Sequence, residues 1–196
     1  MAEGCEKTAV LPPVTVGVTG HRILTEIDRL TAGIELGLQR IARAFPGREL
    51  RALSGLAEGA DRLLAHVLLR EKGGRLLAAL PLPRAEYLRD FASAASRRDF
   101  AELLAAASHV VELPQQPDRS RAYHAVGCYI VEHCDVLLAI WDGQDAQGRG
   151  GTGEVVALAR QRGLPLVWVH AGNRKPGTAE PTSLGAEQGQ VTLERL

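Results

Sequence analysis

Three glycines in four residues, Gly150-Gly151-Thr152-Gly153, stand directly before Glu154 and the apolar pair Val155-Val156. A glycine-rich turn that opens a helix gathers free backbone N–H groups at the positive end of the helix dipole, which suits a phosphate or carboxylate. The loop from Gly148 to Glu154 therefore reads as an anion cradle, with Thr152 capping the helix and offering its hydroxyl. The competing reading is a flexible connection closed by a capping threonine. No Gly-Lys-Ser/Thr occurs in the chain, so this is not a Walker A loop. It is not the dinucleotide fingerprint either, because Val16-Gly17-Val18-Thr19-Gly20 lacks the third glycine. Glu154 suits a catalytic or ribose-binding role, yet an acid in a first helical turn is also favoured by about 0.3–1 kcal/mol from the dipole alone.

Other clusters carry similar chemistry. In Thr19-Gly20-His21-Arg22, Arg22 can pair with phosphate in bidentate fashion and His21 can stack or hydrogen-bond; an exposed turn is the alternative. Ser54-Gly55-Leu56-Ala57-Glu58-Gly59-Ala60-Asp61 is a second glycine-bearing turn, with Ser54, Glu58 and Asp61 as polar groups for a ligand. Asp61 equally serves to charge a helix start. Trp141-Asp142-Gly143 places a carboxylate and an indole together, the indole either flanking a base or simply packing. Arg121 and Tyr123 suit an anion and a stacking partner, or are solvated first-turn residues. His124 and Cys128 stand four apart, but with Cys134 and His133 they lack paired metal-ligand spacing, so no metal is expected. No Ser/His/Asp or Cys/His triad follows from spacing.

The elements that position these residues alternate. Val14 to Thr19 reads as a strand and Thr25 to Phe45 as a helix with Ile27, Leu30, Ile34, Leu38 and Ile41 on one face. Leu50 to Leu53 is a second strand, followed by a helix ending at Lys72; Leu76 to Leu80 is a third. Arg84 to Ala107 is a long helical region broken near Ser93 to Ser96, and His109 to Leu113 is a fourth strand. Arg121 to His133 is helical, the apolar run from Val136 to Trp141 is the fifth strand, and a helix runs from the glycine loop to about Arg162. Leu164 to Val169 is the sixth. Such alternation, with several strands apolar throughout, predicts a three-layer Rossmann-like α/β fold with a mostly parallel sheet of about six strands and helices on both faces. Ligands in such sheets sit beyond the carboxyl ends of the strands, and the suspicious loops all follow strands.

Residues 1–13 read as a flexible leader, 14–170 as the ligand-binding domain and 171–196 as a polar tail or appendage. Lys plus Arg and Asp plus Glu both number 23, so the formal net charge is zero and a strongly basic nucleic-acid footprint is absent. Cys5, Cys128 and Cys134 form no disulfide framework, and no secretory signal or membrane-length apolar run is present, so a reduced cytoplasmic protein is expected.

The segments Val16 to Arg22, Ser54 to Asp61, Leu80-Pro81, Cys134 to Gly143 and Gly150-Gly151-Thr152 together resemble the SLOG superfamily. Its members include the lysine-decarboxylase-like LOG enzymes, the DprA/Smf fold and the nucleotide-sensing domains of TRPM channels. The resemblance implies a Rossmann-like fold that binds nucleotides or nucleotide-derived ligands, often as a homodimer. LOG enzymes cleave the N-glycosidic bond of nucleoside monophosphates with a Pro-Gly-Gly-x-Gly-Thr-x-x-Glu loop and an upstream arginine. Here Trp141-Asp142-Gly143 and a short insertion replace the proline and paired glycines, and Glu154 follows Thr152 by two positions instead of three. The anion-binding role carries over onto Gly150, Gly151 and Thr152; a catalytic role for Glu154 does not carry over securely.

The expected function is binding of a nucleotide or phosphorylated derivative, of AMP or ADP-ribose type, by a sensor or carrier. Phosphate would sit on Gly150-Gly151-Thr152 and Gly20, ribose on Ser54, Glu58 and Asp142, and the base near Tyr87 and Trp141. The alternative is a LOG-like phosphoribohydrolase with Glu154 acting on water. No resident cofactor or membrane is expected, and the neutral charge disfavours a DprA-like nucleic-acid partner.

Overall fold

The computed structural model describes residues 11–70, 73–145 and 150–196. Most of the expected leader, including Cys5, the helix end at Lys72, and Gly148 and Arg149 of the glycine loop lie outside the described residues.

Seven strands form one sheet in the order β4-β3-β2-β1-β5-β6-β7. They are β1 (Val14–Gly20), β2 (Leu50–Ser54), β3 (Arg75–Leu80), β4 (His109–Glu112), β5 (Val136–Trp141), β6 (Leu166–His170) and β7 (Val191–Glu194). Neighbouring strands are parallel except for β7, which runs antiparallel to β6 with Leu166 opposite Glu194. The helices are α1 (Ile27–Ala44), α2 (Ala60–Arg70), α3 (Arg84–Tyr87), α4 (Ala94–Ala106), α5 (Arg119–His133) and α6 (Thr152–Gln161). The fold is thus Rossmann-like, with α1 and α2 on one face of the sheet and α5 and α6 on the other.

Burial of both faces explains the apolar strands. In β5 all six residues are buried, and side-chain alternation divides them between two cores. Val136, Leu138 and Ile140 join Leu30, Ile34, Leu64 and Leu68 from α1 and α2. Leu137, Ala139 and Trp141 join Ile130 and Val155 from α5 and α6. The third layer on the first face is extended by α4, whose Phe100 packs with Tyr87 and Phe91 in the same core.

The helical region after β3 is interrupted as expected. Four residues of α3 and a 3₁₀ turn over Leu88–Asp90 precede Ser93, whose side chain accepts from Ser96 N–H to cap α4. Helix α5 begins at Arg119, earlier than Arg121, because Asp118 accepts from the Arg121 N–H at 2.8 Å.

The sheet has one strand more than the six expected, and it comes from the segment read as a tail. Val191–Glu194 is too short and too polar in context to announce a strand, but the free edge of β6 supplies its ladder partners. Side chains secure the segment. Arg160 holds Glu194 through two hydrogen bonds of 2.7 and 3.1 Å, and Arg29 donates to Gly185 O at 2.7 Å. Gln188 is only 2% exposed and accepts from the Gly172 and Leu184 N–H groups while donating to Thr25 O. Gln188→Ala strands those three buried or half-buried backbone groups. It should lower unfolding free energy by about 1–3 kcal/mol, read as a reduced urea midpoint at unchanged slope.

Candidate functional site

The order of strands reverses between β1 and β5, which pair from Val16–Val136 to Gly20–Ile140. Chains leaving the two carboxyl ends go to opposite faces, so a gap opens above this pair, the place where open α/β sheets bind ligands. A crevice of about 850 Å³ occupies it. Its walls come from the loops after β1, β2 and β5, the start of α6, one side of α5, and the segment after β6.

The loop after β1 is tightly held. His21 N–H donates to Ile140 O at 3.1 Å, extending the ladder by one residue, and His21 O accepts from the Ala60 N–H at 3.0 Å. Gly20 is required by this closeness, since a Cβ there would lie 2.4 Å from Ala60 Cβ and 2.5 Å from Ile140 O. Thr19, Gly20, His21 and Arg22 all line the crevice. The Arg22 guanidinium lies 4.8 Å from the centre of the Tyr123 ring. Tyr123 in turn donates its hydroxyl to Asp90, which also pairs with Arg119 at 2.9 Å. A cation is thereby presented at the mouth of the crevice on a ring fixed from below.

His21 and Asp142 form a second polar pair. The Asp142 N–H donates to His21 Nε2 at 3.1 Å, and Asp142 Oδ1 lies 3.2 Å from the same nitrogen. One nitrogen cannot accept from the N–H and donate to the carboxylate in a single protonation state. Burial lowers the imidazole below its ordinary value despite the opposing pull of Asp142. The neutral ring, with Nε2 as acceptor, is therefore the resting form.

The glycine loop differs in detail from expectation. Gly151, not Thr152, occupies the N-cap position of α6, and no side chain caps the helix. Gly150, Gly151, Thr152 and Gly153 all line the crevice. Gly150 has φ +80°, and a Cβ on it would meet the α5 backbone at His124 N at 3.0 Å. The loop thus needs glycine there to lie against α5. Among the described residues no side chain accepts from the Thr152 or Gly153 N–H at the α6 start, which lines the cavity, and free backbone N–H groups at a helix start are the chemistry of an anion cradle.

Glu154 is placed elsewhere. Its carboxylate accepts from the Gly150 N–H and lies 3.2 Å from His124 Nδ1, and it is not part of the crevice wall. Third in the helix, it folds back onto the loop much as a capping-box acid does. Ser54 also serves the backbone: it is fully buried, accepts from the Leu56 N–H at 3.0 Å and donates to Asp61 O. Glu58 turns to the other side of the second loop, where it accepts from Ser96 Oγ in a separate depression beside α4. Gly143 has φ +81° and packs against Trp168 outside the crevice wall. Trp141 lines the crevice but is 4% exposed, with its indole donating to Gln144 O and its ring against Trp168. Tyr87 also lines the crevice but is 1% exposed, donates to Gly55 O and packs in the aromatic core, so little of its ring is open to a base. Gly55, Asp61 and Asp142 do line the crevice. Arg121 pairs with Asp118 and does not.

Asn173, Arg174 and Thr182, in the segment read as a tail, complete the wall and were not anticipated. Asn173 and Thr182 exchange hydrogen bonds of 2.8 and 3.0 Å, closing a small hairpin over the opening. Composition hid them, since a Gly/Pro/Thr/Glu stretch carries no periodicity; only the turn pair Pro176-Gly177 hinted at it. Among the described residues no group of three or more His, Cys, Asp or Glu is arranged to hold a metal, and no helix is long and apolar enough to cross a membrane.

A scan against protein families returns no match, and neither does a search of curated proteins. Among solved structures, the chain is similar to the molybdenum cofactor carrier protein MCP from Chlamydomonas reinhardtii. Identity is 20%, the TM-score is 0.39, and the likeness covers 80% of this chain and 76% of that one. Ligand and chemistry therefore rest on the residues of this crevice.

Asp61 adds a pH-sensitive element. It is 9% exposed and accepts from the Ala57 N–H, yet burial outweighs this bond and the nearby Arg22 and Arg62, raising its carboxyl from 3.8 to about 6. A raised acid favours the fold fully below its unfolded value and loses that contribution as pH climbs through the folded one. Between about pH 4 and pH 6 the native state should therefore lose up to about 3 kcal/mol relative to Asp61→Asn. Urea unfolding of both proteins across that range measures the difference; parallel profiles would show that Asp61 does not titrate in the fold.

Proposed function

We propose that this chain binds a phosphorylated nucleoside or related nucleotide derivative in the crevice between β1 and β5, as a sensor or carrier of the SLOG type. The observation that carries the reading is convergence. The uncapped start of α6, at Gly151-Thr152-Gly153, and the Arg22 guanidinium line one cavity at the strand-order reversal. Backbone N–H groups and an arginine fork are complementary to phosphate oxygens. Asp142, Asp61 and Asn173, in the same cavity, offer partners for ribose hydroxyls or base edges. Its volume of about 850 Å³ falls within the usual range of small-ligand sites. Homodimerisation, common in the resembled superfamily, belongs to the same proposal.

The phosphoribohydrolase alternative needs a carboxylate at the glycosidic bond. Glu154 is turned onto Gly150 and His124, which favours binding over turnover. Incubation with nucleoside monophosphates and chromatography of the products separates the two: free base that disappears in Glu154→Gln would establish the hydrolase.

Two substitutions test the binding site itself. Replacing Gly151 with tryptophan fills the cradle and should abolish binding of AMP and ADP-ribose by calorimetry while leaving the melting temperature near that of the parent. Arg22→Ala should weaken the same ligands by about tenfold or more, as loss of a charge-assisted pair predicts, with little effect on unphosphorylated adenosine. Equal affinity for all three ligands in both variants would remove phosphate from this cavity.

A further inference from the structure

Three side chains outside the crevice wall meet where α5 passes the start of α6. His124 Nδ1 lies 3.2 Å from a Glu154 carboxylate oxygen, and His124 Nε2 lies 3.4 Å from Cys128 Sγ. A carboxylate only accepts, so the neutral ring that satisfies both contacts carries its proton on Nδ1. Nε2 is then a bare acceptor facing a thiol, which is the order of groups in an acid-oriented thiol–imidazole pair.

Cys128 is partly exposed, so a small reagent can reach it. Burial together with Glu132 and Glu154 pushes its thiol up, with Arg162 opposing. The resting sulfur therefore keeps its proton near neutral pH, and its reactivity depends on a base that takes that proton during attack. Cys134, also partly exposed, provides an internal contrast in its surroundings, since no imidazole contact to its sulfur is found among the described residues. It packs against β1, where a Cβ on Gly17 would lie 2.7 Å from its sulfur, and burial pushes it up to about 12.

We propose that Cys128, His124 and Glu154 form a proton relay that makes Cys128 this protein's site of reaction with peroxides. Cys128 Sγ attacks one peroxide oxygen while its proton passes to His124 Nε2 and the O–O bond breaks. The imidazolium, held by Glu154, returns the proton to the departing hydroxide or alkoxide. Sulfur is oxidised to a sulfenic acid, and the peroxide is reduced to water or an alcohol. The three reacting side chains all lie outside the crevice wall.

The test is exposure of the full chain to hydrogen peroxide with dimedone as the trap, and quantification of the Cys128 and Cys134 peptides separately by mass spectrometry. Cys128 should label about tenfold faster than Cys134 or more, and His124→Gln should remove most of that advantage. In the wild type the rate should exceed, at each pH, what the thiolate fraction alone would give. In His124→Gln it should rise only as the thiol itself ionises. Glu154→Gln gives the sharpest discrimination. Simple electrostatics predicts faster labelling, because a negative charge near the sulfur is removed; the relay predicts slower labelling, because the imidazole loses its anchor. Faster labelling in Glu154→Gln, an unchanged rate in His124→Gln, or equal rates at the two cysteines in the wild type would overturn the relay. The wild-type pH profile and the two-cysteine comparison need no variant to fold, and an unaltered Cys134 rate confirms folding of the variants.

Discussion

The side-by-side pairing of β1 and β5 is the constraint from which the rest of this structure follows. These two parallel strands lie at the centre of the sheet and send their chains to opposite faces. No helix can cover the gap above their carboxyl ends, because the helices that follow diverge from it. The loops after β1, β2 and β5 open onto that gap. The strands themselves are buried on both faces, which leaves little freedom to move the site relative to the sheet.

Close backbone approach converts this scaffold into a shaped cavity. The loop after β1 is locked between β5 and the start of α2 through the two hydrogen bonds of His21. The glycine loop leans on α5 at Gly150 and is held by the Glu154 carboxylate. Arg22 rests on Tyr123, which is fixed by Asp90 and Arg119. Cation, helix start and paired His21–Asp142 are thus positioned by contacts among the loops themselves. Little reorganisation remains for an occupant of the crevice to impose.

Several polar residues that share a loop with the site serve the loop. Ser54 and Glu154 satisfy backbone N–H groups, and Glu58 holds Ser96 on the far side of its turn. A tight turn has more unpaired backbone groups than neighbouring strands can satisfy, so short polar side chains are drawn inward to them. Sequence proximity to a glycine turn therefore identifies the loop but not which side chains face the crevice. Glu154 is the clearest case, because its distance from Thr152 already departed from the LOG spacing and its carboxylate is engaged with Gly150 and His124.

Alternating apolar strands and amphipathic helices, read from periodicity alone, determined the α/β class, the parallel central sheet and the end of the sheet where the crevice lies. That the glycine turns, Arg22 and Asp142 belong to the crevice wall was legible for the same reason: local backbone chemistry and residue type are written in short stretches. Tertiary structure alone decided the remainder. Strand β7 exists because β6 offers an unpaired edge, and Asn173, Arg174 and Thr182 reach the crevice because Gln188 and Arg29 tie the following segment to Thr25 and to α1. Tyr87 is committed to the aromatic core, and Ser54 and Glu58 to their own turn, by neighbours distant in sequence or by the direction of the chain. Those outcomes depend on which surfaces meet after folding, and no window of sequence carries that information.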